Sequence, residues 1–271
     1  MKKLSLLLLT AISCFNAHGQ KLPNVQQTGL RAPAKVKIDG KTTEWGNFTA
    51  DNYATGLHYT MANDDKNLYL AIQADDANVL TKLTNHGVAL SIHPQGKKST
   101  QDTVFINYPV FELQYNTKPF IRFSNTSGLT SDQRAAINAN PDSMLVLANK
   151  KLKANDKFIR TGGIVGVDTM LSIYNEKGIT AGESFTKGMV YNYEIAIPLK
   201  YIKLQGKPTK FSYHIVLNGI SVDKDSGLKM TKGTNGVMAI SFAPGFVTIQ
   251  NKDMPAVMAT TDFWGEYTLV K

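Results

Sequence analysis

Along most of this chain hydrophobic and polar residues alternate with a period of two, the signature of strands with one buried face. The alternation is clearest in the stretch from Lys35 to Asp76. Val36–Ile38 is a predicted short strand, followed by Asp39-Gly40-x-x-x-Glu44-Trp45. A hairpin is predicted next, with arms Leu57–Met61 and Leu68–Ala74. The turn formers Ala62-Asn63-Asp64-Asp65-Lys66-Asn67 lie between the arms, with side chains that bond their own backbone. In the second arm Leu68, Leu70 and Ile72 alternate with Tyr69, Ala71 and Gln73, so the first three are expected to face inward from a half-buried strand.

Further strands are expected at Gly87–His93, Thr103–Tyr108, Phe158–Val167, Leu171–Tyr174, Met189–Ile197, Phe211–Ile220 and Tyr267–Val270, with a Gly178–Ala181 stretch between the fourth and the fifth. Pro198 opens a helical turn at Leu199–Ile202, as proline at a first helical position allows. Between about 109 and 157 the period is lost and Asn, Ser, Thr and Lys dominate. Thr130-x-x-Gln133 has capping-box spacing before Arg134-Ala135-Ala136-Ile137, which predicts one short helix there. Met144–Leu147 is expected to be a strand within the same segment. With too few apolar residues for its own core, the segment is an insertion on a larger body. Short strands at this spacing predict an all-β fold: an antiparallel β-sandwich of two sheets, immunoglobulin-like or jelly-roll-like, with an irregular insertion carrying a short helix. Residues 35–271 are expected to form this single domain behind an extended leader, 20–34.

The first residues change the picture of where such a domain works. Lys2 and Lys3 precede an apolar run, Leu4–Ile12, and then small and polar residues, which is the layout of a signal peptide. The run spans nine residues, against the roughly 20 that a membrane helix needs, so no transmembrane segment is expected. Ala17-His18-Gly19 predicts cleavage before Gln20 and export to the periplasm or beyond the cell. The alternative is lipidation at Cys14, the single cysteine, and the N-terminal sequence of the exported protein separates the two. Cleavage before Gln20 leaves no cysteine, hence no disulfide and no thiolate ligand or nucleophile. The formal charge of +9 falls to +7 when Lys2 and Lys3 leave. The lysines are dispersed and lack the interleaved aromatics of a nucleic-acid surface, so no nucleic-acid partner is expected.

Four motifs occur in a recognisable order: Ile38-Asp39-Gly40…Glu44-Trp45, Asn63-Asp64-Asp65-x-Asn67-Leu68-Tyr69-Leu70, Gly87-Val88-Ala89-Leu90-Ser91-Ile92 and Tyr193-Glu194-Ile195-Ala196-Ile197-Pro198-Leu199. Together they resemble the family 9-like carbohydrate-binding modules of the wider DOMON-like β-sandwich superfamily. The leader ending at Gln20 is similar to those of exported Bacteroidetes proteins. The resemblance covers residues 35–107 and 158–220. It implies a sandwich and a polysaccharide or oligosaccharide partner held by a pair of tryptophans. Two tryptophans are present, Trp45 and Trp264. Trp45 sits directly after the first predicted strand, where it reads as a core plug, with Asp39 and Glu44 accepting backbone N–H bonds around Gly40. Trp264 has two readings, ligand contact or burial against the last strand. The pair therefore does not transfer as a clamp.

Tyr108, Phe111 and Tyr115 supply further candidate ligand contacts, with Phe120 and Phe123 beyond them, because loops on rigid sandwiches often carry binding. Asp64-Asp65 and Asp75-Asp76 are candidate calcium ligands, although neither pair has the spacing of a cage. The resemblance also admits haem held through methionine and histidine, for which Met61 with His93 or His214 is the available set. No nucleophile elbow, phosphate loop or dinucleotide fingerprint is present, so no catalytic residue is assigned. The resemblance, with the loop aromatics, implies non-catalytic glycan recognition as the expected role. The alternative is a structural or interaction protein of the cell envelope. The sequence does not fix an oligomeric state.

Overall fold

The computed structural model describes residues 21–110, 141–204, 209–219, 228–232, 238–242, 245–249 and 254–271. It is mostly β. A five-stranded antiparallel sheet has the order β1-β2-β3-β9-β8, from β1 (Ala50–Asn52), β2 (Leu57–Asn63), β3 (Asn67–Ala74), β8 (Thr180–Thr186) and β9 (Val190–Pro198). A six-stranded antiparallel sheet has the order β14-β10-β4-β5-β6-β7. Its strands are β4 (Val88–His93), β5 (Val104–Tyr108), β6 (Phe158–Gly162), β7 (Met170–Ser172), β10 (Lys210–Leu217) and β14 (Thr261–Thr268). The short strands β11 (Leu228–Lys232), β12 (Met238–Phe242) and β13 (Gly245–Ile249) pair antiparallel in a small third sheet. The expected all-β sandwich is therefore the fold.

The inner faces of the two large sheets share one core. Leu68, Leu70 and Ile72 are buried and lie opposite Ile197, Ile195 and Tyr193. From the other sheet Phe211, Tyr213, Ile215 and Leu217 face inward and are equally buried. Rings cross between the sheets: Tyr59 lies 5.0 Å from Phe263 and Tyr108 lies 5.9 Å from Tyr193. The Tyr59 and Tyr213 hydroxyls meet at 2.9 Å, so these rings bring a satisfied polar contact into the apolar core.

Some local expectations need correction. Val36–Ile38 is irregular rather than a strand, and Val36 and Ile38 pack instead on the outer face of the five-stranded sheet. β3 is buried on both faces, not one, because Trp45 and its neighbours cover Tyr69 and Ala71. Met144–Leu147 belongs to a helix, α2 (Pro141–Asn155), whose Leu145, Ala148 and Leu152 pack on the core at helical spacing. A short apolar run suits strand or helix equally, and here the continuation at i+3 and i+7 decides for helix. The helix predicted near Thr130 lies outside the described residues.

One helix was missed by the period-two reading: α1 (Ala77–His86), which links β3 to β4 across the end of the sandwich. Asp76 caps it by accepting from the backbone N–H groups of Asn78 and Val79, at 2.9 and 3.0 Å. A third helix, α3 (Met254–Met258), precedes β14. The leader is extended and docked. The side chain of Gln26 donates to the Met61 carbonyl and accepts from its N–H, both at 2.8 Å, in the manner of an added strand.

Candidate functional site

The motif Asp39-Gly40…Glu44-Trp45 ends in a single 3-10 turn, Thr42–Trp45, that lies over the outer face of β3 and β9. Glu194 holds it there. This buried side chain on β9 accepts from the Trp45 indole N–H at 2.7 Å and from the backbone N–H groups of Gly40 and Asp39 at 2.9 and 3.2 Å. Asp39 accepts from the Lys41 N–H and Glu44 from the Lys37 N–H, both at 2.9 Å. Gly40 has φ +77°, and a Cβ there would run into the backbone of Glu183 on β8. Asp39, Gly40, Glu44 and Trp45 thus form a structural clasp, with Glu194 as its centre.

Burial pushes the Glu194 carboxyl up to about 7, outweighing its three donors, and the nearby Glu44 adds to the rise. A carboxyl whose pKa rises on folding contributes stability at acid pH that is lost as pH climbs through the folded value. The stability gap between wild type and Glu194→Gln is therefore expected to shrink by about 2–3 kcal/mol from about pH 5 to about pH 8. Urea unfolding of both proteins across that range checks this, and a gap independent of pH would refute it.

The clasp forms one wall of a cleft of about 900 Å³. The Asp39–Phe48 loop lies on one side, α2 and Tyr174 on the other, and β8 between them. Asn149 fixes α2 to the edge of β8: its side-chain amide donates to the Phe185 carbonyl at 2.8 Å and accepts from its N–H at 2.7 Å. An amide so placed supplies the ladder bonds that an edge strand lacks. Lys41, Thr43 and Asn47 stand exposed at the rim, with Phe48 half-buried beside them. Tyr174, 74% exposed, completes the opposite rim, and the Lys157 ammonium lies 3.3 Å from its hydroxyl.

Beneath the cleft lies a polar cluster of unusual composition. Asp156, just beyond α2, and Glu183 on β8 approach within hydrogen-bonding reach, and both carboxyls are pushed up by burial. The Tyr191 hydroxyl donates a short bond to Glu183 Oε2. Tyr108 and Tyr193 border the same acids, and burial raises both phenols as well.

Of the sequence-predicted contact residues, the two that are described, Tyr108 and Trp264, do not come together. Tyr108 is 2% exposed, with its ring against Tyr193, and lines the floor of the cleft rather than an exposed loop, so the expectation of an exposed loop contact is corrected. Phe111 and Tyr115 lie outside the described residues. Trp264 is on the outer face of the six-stranded sheet, where the His214 imidazole stacks on its indole at 4.3 Å and 6°. His93 lies 4.8 Å away and the Lys97 ammonium sits 5.4 Å over the ring. With an imidazole stacked face to face on it, the indole is not a free platform for a pyranose. Asp64 holds the hairpin turn, accepting from Lys66 N–H, Asn67 N–H and the Tyr69 hydroxyl, each at 2.7 Å. Asp65 pairs with Arg31 at 2.8 Å, and Asp76 is the cap of α1, which leaves neither acidic pair disposed as a calcium cage. Met61 points into the core while His93 and His214 lie on the far side of the second sheet, so they cannot share a haem.

Tyr174, Asp156 and Glu183 were not found from sequence. One signal for the cluster was legible: Tyr191 and Tyr193 share the core face of β9 with Ile195 and Ile197, and buried phenols need polar partners.

Among the described residues no helix is long and apolar enough to cross a membrane, and no three His, Cys, Asp or Glu side chains cluster as a metal cage. No protein-family model matches the chain, and a search of curated proteins finds no similar sequence.

Proposed function

We propose that this chain is a non-catalytic binding domain that takes an oligosaccharide in the cleft between the Asp39–Phe48 loop and α2. The observation that carries the reading is the cleft itself: about 900 Å³, rimmed by an exposed tyrosine ring and by amide, hydroxyl and ammonium groups. Sugars pack C–H faces on aromatic rings and present hydroxyls to such polar groups, and pockets of this size suit a ligand of a few rings. The resemblance to family 9-like carbohydrate-binding modules supports the same class, and the signal-peptide pattern suits a domain that meets glycans outside the cytoplasm. The contact residues differ from those expected: Tyr174 takes the aromatic role in place of Tyr108 and Trp264.

Affinity electrophoresis of the chain from Gln20 onward in polysaccharide gels, alongside a glycan array, tests the reading. Retardation by at least one polymer is expected, with Tyr174→Ala losing roughly tenfold or more in affinity at an unchanged melting temperature, because an exposed ring contributes little to the core. Absence of binding to every glycan would overturn the reading and favour an interaction role at the cell envelope.

A further inference from the structure

As carboxylates, Asp156 and Glu183 leave three acceptor oxygens without a donor, Asp156 Oδ1 and Oδ2 and Glu183 Oε1, and the buried Tyr193 hydroxyl also has no partner. The bond the two acids can make with each other needs a shared proton. Asp156 is 3% exposed and Tyr193 wholly buried. The Tyr108 hydroxyl does not serve them, since it turns to the Asp156 backbone carbonyl at 3.4 Å. The nearest cation, Lys157, is directed at the Tyr174 hydroxyl. Orphaned buried acceptors of this kind cost about 1–3 kcal/mol each, more when charged, so an occupant that satisfies them would be strongly favoured.

Two ionised carboxylates side by side are acceptors only and repel each other. A single shared proton relieves the repulsion but serves two of the four oxygens. A hard divalent cation collects six to eight oxygen ligands and cancels both charges at once. Asp156, Glu183 and Tyr193 come from three separate elements, the end of α2, β8 and β9, so the oxygens converge from different sides rather than along one loop. The cleft above gives access for the water ligands that such an ion retains.

We propose that Asp156, Glu183 and Tyr193 form a binding site for one hard divalent cation of calcium's size, beneath the cleft. Its occupancy ties α2 to β8 and so fixes the cleft's inner wall. The site stands whether or not the cleft takes sugar, and its test uses cations alone.

The probe is Tb³⁺ added to the chelator-stripped chain, with emission excited through the three neighbouring tyrosines and Ca²⁺ as competitor. Saturable emission displaced by Ca²⁺ is expected, together with a Ca²⁺-dependent rise in melting temperature. Asp156→Asn and Glu183→Gln keep shape and volume and are each expected to weaken the cation by roughly tenfold or more. Asp64→Asn, in the distant hairpin turn, is expected to bind as wild type does. Tyr193→Phe removes one oxygen alone and is expected to weaken the ion measurably, which keeps the test readable should a carboxyl variant fail to fold. No Ca²⁺-dependent shift in the wild type, or a shift of equal size in all four variants, would overturn the proposal and leave the pair holding a proton.

Discussion

Trp45→Ala is expected to lower the free energy of unfolding by about 3–5 kcal/mol, as truncation of a large buried aromatic does. The ring is 8% exposed and packs at 5.8 Å and 58° on Tyr69, with Ala62, Ala71 and Ala196 beneath it. Two losses combine. The first is apolar area, roughly 150–250 Å² for a buried aromatic. The second is the 2.7 Å bond from its indole N–H to Glu194, whose carboxyl stays buried with one donor fewer. Trp45→Phe separates them, since it keeps most of the area and removes the donor, and its cost is expected at about 1–3 kcal/mol. That is a large part of the 5–15 kcal/mol typical of a domain, so urea unfolding resolves both variants. A tryptophan that served as a sugar clamp would behave in the opposite way. Its alanine variant would melt like the wild type and lose glycan binding, and that result would sink the clasp assignment.

The clasp also explains why so much of the fold was legible. Leu68, Leu70 and Ile72 alternate because one face of β3 meets the second sheet, and the period-two rule reads such faces directly. Tyr193-Glu194-Ile195-Ala196-Ile197 alternates for the same reason, but it carries a glutamate where a strand covered on both faces leaves little room for charge. Nothing local in the sequence tells that Glu194 waits for three donors some 150 residues earlier in the chain. Sequence periodicity reports which way a side chain points, not what arrives over it. Trp45 could therefore be read as buried, while the face it covers, the outside of the five-stranded sheet, could not.

The cleft was legible to a smaller degree, for a related physical reason. Its aromatic rim residue, Tyr174, follows a three-residue strand on a sheet edge, with no pattern to separate it from any surface tyrosine. Its floor joins Asp156 to Glu183, two acids in unrelated local contexts that only the packing of α2 on β8 brings together. Proximity of acids along the chain proved a poor guide. Of the adjacent pairs Asp64-Asp65 and Asp75-Asp76, Asp64 went to a turn, Asp65 to an ion pair with Arg31 and Asp76 to a helix cap. α1 escaped for lack of a period-two signal, although Asp76 before Ala77 and Gly87 after His86 are a start and a stop that the capping rules describe.

Gly265→Ala carries the other large expected effect, and its sign runs against the usual expectation. In a strand, alanine in place of glycine reduces the freedom of the unfolded chain and stabilises by about 0.4–1 kcal/mol where the site accepts a methyl group. Gly265 on β14 lies directly across from Tyr213 on β10, and a Cβ there would occupy the space of the Tyr213 ring edge and hydroxyl. That ring has no room to retreat. It stands edge-on to Phe263 at 6.3 Å and 86° and to Tyr59 at 6.5 Å and 71°, and its hydroxyl bonds the Tyr59 hydroxyl. The Tyr59 hydroxyl in turn accepts from the Gln26 N–H at 2.9 Å, so displacement reaches the docked leader. Overpacking costs about 1–3 kcal/mol, and a broken buried hydrogen bond adds about 1–3 kcal/mol, so a net loss of about 2–5 kcal/mol is expected. Tyr213→Leu shortens the opposing side chain and opens the space the methyl group needs. The double variant is therefore expected to be more stable than the sum of the two single losses, by about 1–3 kcal/mol, as contacting residues show in double-mutant cycles. Chemical unfolding of the three variants measures it: additive losses, or a Gly265→Ala protein as stable as the wild type, would show that Tyr213 does not need the space that glycine leaves.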